Sequence, residues 1–115
     1  MEIGTEQLSG KKCLRFIFNG YLLLNEAKNG IVLWRKAFRA SPDAKFIIIW
    51  DCLKMTGYDK QARQIWQLAL GEFKNQIEAI WVISNSKIYQ IAAALMGVMM
   101  PFKIRTVTSD EKIQV

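Results

Sequence analysis

Apolar residues run without interruption from Phe46 to Trp50, and this β-branched, unalternating run has the character of a strand covered on both faces. The run breaks at Asp51, crosses a short polar segment bearing Gly57, and gives way at Tyr58 or Asp59 to a different period. Ala62, Ile65, Trp66, Ala69 and Phe73 then recur at i, i+3, i+4, i+7 and i+11. This is the buried stripe of an amphipathic helix, with Lys60, Arg63, Gln67 and Lys74 facing water. Gly71 interrupts the stripe without ending it, and Asn75 marks the boundary. Strand, loop and helix form the central unit of the chain.

Upstream, Ile3 and Leu8 among polar neighbours predict a short edge strand, closed by a turn at Ser9-Gly10. Residues 13–18 form a second strand, too apolar for an exposed edge, which Asn19-Gly20 ends. Asn-Gly is also a hairpin signal, but Asn25-Glu26 looks like a helix N-cap with an acidic first turn, so a crossover helix is preferred. It covers 26–39, with Ala27, Ile31, Trp34 and Phe38 on one stripe and a basic last turn, and it stops at Ser41-Pro42-Asp43.

Downstream, Ile77 and residues 79–83 predict another fully apolar strand. Ser84-Asn85-Ser86 offers N-caps for a third helix over 87–99 that is apolar nearly all round. Burial in the core is the preferred account of that composition, with an oligomer contact as the other. Pro101 closes the helix, and residues 103–108 alternate as an edge strand. Ser109-Asp110-Glu111 resembles the start of a further helix with little chain to complete it. Strands alternating with helices imply right-handed crossovers and a mostly parallel sheet of four to five strands covered by helices. Such sheets gather ligands beyond the carboxyl ends of their strands, here Asp51 to Asp59 and Ser84 to Ser86.

With 115 residues, 51% of them hydrophobic, the chain forms one domain, 1–115. Sixteen Lys and Arg against ten Asp and Glu leave a net charge of +6. The excess falls in separate small groups, 11–12, 35–39 and 103–105, and no recognition motif accompanies it, so nucleic acid is not an expected partner. There is no histidine, which removes the commonest general base and metal ligand. No metal or cofactor is expected. Cys13 and Cys52 fall in predicted strands without metal-like spacing, which suits a reduced, cytoplasmic chain. The start of the chain lacks a signal-peptide layout, and the longest apolar run, 91–102, is too short to span a bilayer.

Each candidate residue has an ordinary structural use beside its functional one. Asp51 is read first as the acceptor of its own Asx turn. Either Thr56 or Asp59 can cap the following helix, and Gly57 can supply a positive φ. Tyr58 at the helix mouth is either an exposed contact or a packed lid. Ser84 and Ser86 can bind a small anion through free N–H groups, but capping explains them more simply. Cys52 lacks a base to activate it, so an inert thiol is expected in place of a nucleophile.

Taken together, these elements resemble a STAS domain, the sulfate-transporter and anti-sigma-factor-antagonist fold, in its SpoIIAA-like, STAS/Sec14-type branch of small bacterial proteins. The resemblance covers about 12–110 and is carried by FIIIWDCLKMTGYDKQARQIW and IEAIWVISNSKIYQIAAALM. It implies a non-enzymatic regulatory or protein-binding module. In the antagonist members an Asp followed by a phosphorylatable serine opens the helix after the central strand. The resemblance sets Asp59 on that acid and Lys60 on the serine, so the phosphorylation switch is expected to be lacking. Thr56, the one hydroxyl in the loop suited to a serine/threonine kinase, lies too early to replace it.

The first functional expectation is therefore contact with another protein through Asp51, Thr56, Gly57, Tyr58, Asp59, Lys60 and Arg63. The second is a pocket for an apolar or lipid-like small molecule, lined by Trp34, Trp66, Met96 and Met99. An enzyme built on Cys52 comes last. The Met-rich third helix and the final strand also leave room for a homodimer.

Overall fold

The computed structural model describes residues 1–115. β1 (Glu2–Leu8) and β2 (Lys11–Leu22) form an antiparallel hairpin. Its turn is Ser9-Gly10, whose φ angles of 52° and 77° are both left-handed, as a two-residue hairpin connection requires. Then follow α1 (Leu24–Ala40), β3 (Phe46–Tyr58), α2 (Lys60–Phe73), β4 (Ile77–Ile83), α3 (Lys87–Met96) and β5 (Ile104–Val107). The five strands lie side by side in chain order, and β2 through β5 are parallel.

That order determines where the helices go. Each parallel step, β2 to β3, β3 to β4 and β4 to β5, moves one place in the same direction, and right-handed crossovers then deliver every helix to the same face. All three helices feed one cluster of 22 buried residues. At its heart Trp34 is ringed by Phe16, Phe38, Trp66 and Phe73, with centroids 4.8 to 6.1 Å away. The opposite face carries a cluster of five, Cys13, Ile47, Ile49, Trp81 and Ile83, against which Leu8, Val107 and Ile113 pack. The Arg105 guanidinium lies 5.4 Å over the Trp81 ring, and Arg15 bonds Glu6 and Asp110, each at 3.0 Å, tying the hairpin to a short 3-10 turn at Asp110–Lys112. The expectation of helical cover thus holds for one face, while strand residues and the end of the chain shield the other.

Several boundaries differ from the pattern reading. β2 does not stop at Asn19-Gly20 but runs to Leu22, because Gly20 takes φ +79° at a shift in register and the strand continues pairing. α1 begins at Leu24 without Asn25 as its cap; its N-cap position, Leu23, has no capping side chain of its own. α3 ends at Met96 with Gly97 beyond it, and it is not the buried helix that its composition suggests. Only Ala93 and Met96 are buried, whereas Ile88, Ile91, Leu95, Val98 and Met99 lie 60% or more exposed. α3 lies at the outer side of the group, over β5, so one side of it has nothing to pack against. No helix is long and apolar enough to cross a membrane.

Candidate functional site

The carboxyl ends of the strands are uneven. β4 pairs with β3 only as far as Ile83 opposite Asp51, whereas β2 and β3 continue together as a two-stranded parallel ribbon. Lys54, Met55, Gly57 and Tyr58 pair there with Asn19, Gly20, Tyr21 and Leu22. Residues 51–58 are therefore strand where the sequence pattern suggests a loop, since the prolonged β2 offers them a partner. Register shifts absorb the irregularity.

Two of the polar residues expected at a partner surface, Asp51 and Asp59, are engaged locally. Asp51 Oδ1 accepts the Leu53 N–H at 3.1 Å, the Asx-type bond to the residue two places on. Gly57 takes φ +152°, and a Cβ at this position would stand 2.9 Å from two carbons of the Tyr21 ring, so the aromatic lies directly on the glycine. Asp59 occupies the N-cap position of α2 but makes no cap bond there. Its Oδ2 instead accepts the Leu24 N–H at 3.1 Å and so caps α1. Partial desolvation and the neighbouring Asp59 carboxylate push the Tyr21 hydroxyl above the ordinary phenol range. Ser86 Oγ accepts from Tyr89 N–H and Ser84 Oγ from Ser86 N–H, so both hydroxyls serve the entry to α3. Thr56, Lys60 and Arg63 are exposed, and neither cation has an ion-pair partner.

A cavity of about 80 Å³ opens on the helical side of this ribbon, between α2 and α3. Phe18, Trp50 and Val82 reach it from three adjacent strands; Trp66 bounds it from α2, and Ala93 and Met96 from α3. Its rim carries half-buried Tyr58 and Tyr89, with ring centroids 6.0 Å apart, and the exposed Arg63. Twelve of its thirteen lining residues are hydrophobic, and Arg63 is the one cation, so burial of apolar surface dominates anything that enters. Trp50 is 4% exposed, and its Nε1–H has no acceptor.

Of the four residues expected to line such a pocket, Trp66 and Met96 do so. Trp34 does not, being fully buried among other rings, and Met99 does not, being 87% exposed past the end of α3. Of the expected partner-surface residues, the cavity wall includes Tyr58 and Arg63. Phe18, Leu22, Trp50, Met55 and Tyr89 were not anticipated. Strand alternation was the signal for Phe18 and Trp50, which stand on the same sheet face as Phe16 and Ile48. Cys52 also borders the cavity; burial first and the Asp51 charge second push its thiol up to about 12, leaving it protonated and unreactive at neutral pH.

No family model matches the sequence, and no curated protein matches it. Among solved structures it is similar to an uncharacterised protein of the DUF3478 family with a SpoIIAA-like fold from Shewanella loihica PV-4. The two superpose with a TM-score of 0.77 at 16% sequence identity, over 96% of this chain and 87% of the other. At that identity the likeness concerns the fold, and the fold of this chain is SpoIIAA-like.

Proposed function

We propose that this SpoIIAA-like chain is a non-catalytic binding module whose cavity between α2 and α3 holds a small apolar molecule. The observation that carries the reading is the lining itself, apolar but for Arg63, at the carboxyl ends of three parallel strands. The chemistry there favours binding over catalysis. Asp51 and Asp59 accept backbone N–H groups; the chain has no histidine; and the Cys52 thiol is held protonated. The engagement of Asp51, Gly57 and Asp59 within the ribbon also weighs against a freely presented switch loop.

A second reading, contact with another protein, is favoured by a different observation. The outward stripe of α3, Ile88, Ile91 and Leu95, is apolar and exposed, and Thr56 and Lys60 lie exposed at the start of α2.

Native mass spectrometry of the protein purified from its own cells tests the two. A stoichiometric small-molecule adduct, displaced when Trp66 or Met96 is replaced, is the expected result. A clean chain mass that persists on addition of apolar compounds counts against the pocket. A stoichiometric complex with a second protein supports the other reading.

A further inference from the structure

Resting on the pocket reading above, we infer that the ligand is an apolar monocarboxylic acid, part of its chain in the cavity and its carboxylate on the Arg63 guanidinium.

The charge distribution carries this. Lys54, Lys60, Arg63 and Lys87 all belong to this end of the sheet, and none has an ion-pair partner. Of the carboxylates of the same end, Glu26 pairs with the N-terminal amine at 3.6 Å, Asp51 and Asp59 accept backbone N–H groups, and no acid lines the cavity. α3 contains no acidic residue, and the one acid of α2, Glu72, is in its last turn and bound to Arg35 on α1. An anion approaching the mouth therefore meets more cations than acids, with a single cation on the rim itself.

One guanidinium in an apolar rim suits one planar carboxylate, which it can grip through two parallel N–H bonds. A phosphate dianion needs more donors than this rim provides, and no glycine-rich loop supplies them. The enclosed space, about 80 Å³, is smaller than the roughly 150 Å³ that admits a benzene ring. It accommodates part of an alkyl chain, with the remainder and the head group lying along the open mouth.

The test is calorimetric titration of the full chain with octanoate and with octanol, at low salt and neutral pH, repeated on Arg63→Gln. Arg63 is exposed and unpaired, so the variant is expected to fold as the parent does. Octanoate should bind about tenfold more tightly than octanol, the scale of one charge-assisted contact, and Arg63→Gln should erase that preference. Equal affinities in the parent, or a preference that survives Arg63→Gln, overturn the head-group assignment while the pocket reading stands. Failure of both compounds to bind overturns the pocket reading and this inference with it. Binding of the chain to vesicles of anionic phospholipid with no response to octanoate also overturns it, by assigning the positive field to a membrane surface.

Discussion

The carboxylate of Asp59 accepts the backbone N–H of Leu24 at 3.1 Å, across 35 residues of sequence. The Asp59 N–H in turn donates to the Leu22 carbonyl at 2.9 Å. One residue at the end of β3 thus caps the helix that follows β2 and fastens the two strand ends together. Replacing Asp59 with Ala should cost about 1 kcal/mol, as loss of an N-cap does. Asp59→Asn keeps the acceptor and should recover most of that. Urea denaturation of the two variants measures it, and equal stability of Asp59→Ala and parent would remove the cap from the account.

Gly57 bears on the same junction. Its φ of +152° suits no other residue well, and an added Cβ would meet the Tyr21 ring at 2.9 Å. Gly57→Ala should therefore destabilise by about 1–3 kcal/mol. Combined with Tyr21→Ala, part of the cost should vanish, because the steric component goes while the backbone component remains. Strict additivity of the two substitutions would show that the ring does not press on the glycine.

Alkaline stability should depend on the two thiols. Both are pushed up to about 12 from 9.0, Cys13 by burial and then by Glu6, Cys52 by burial and then by Asp51. Between those values the folded chain retains protons that the unfolded chain releases. Stability from this source is therefore constant below about pH 9 and falls as pH rises from 9 toward 12. A Cys13→Ala, Cys52→Ala chain should show a shallower decline over that window in denaturation midpoints, whatever its stability at pH 7.

The exposed side of α3 and the wall of the cavity should respond oppositely to polar replacement. Ile88→Gln and Leu95→Gln should change stability by no more than about 0.5 kcal/mol, since both side chains already face water. Trp66→Ala should cost about 3–5 kcal/mol, because its ring packs against Phe16, Phe18 and Trp34. Thermal denaturation compares them directly, and a large loss from Leu95→Gln would mean that α3 is covered in solution.

Periodicity in the sequence was enough to place the strands and helices. The unbroken run at Phe46–Trp50, the α2 stripe through Ala62, Trp66, Ala69 and Phe73, and the turn at Ser9-Gly10 all lie where the chain's own pattern puts them, because local spacing dictates which side chains share a face. The same pattern misled at α3. An apolar composition states what a helix gains by burial, and the end of the sheet left it nothing to bury against.

What the sequence determined by itself was the succession of elements and the buried side of most of them. Tertiary structure alone decided the strand order, which runs without reversal and so sends all three helices to one face, leaving no crevice between oppositely wound halves. It decided too that the cavity opens between α2 and α3, and that β2 runs on far enough to turn residues 51–58 into strand. Asp59 could not be read as the cap of α1, because its partner Leu24 lies 35 residues earlier. Hydrophobic spacing records the demand of each segment for burial, but pairing between distant segments depends on closing the chain between them, which no single stretch encodes.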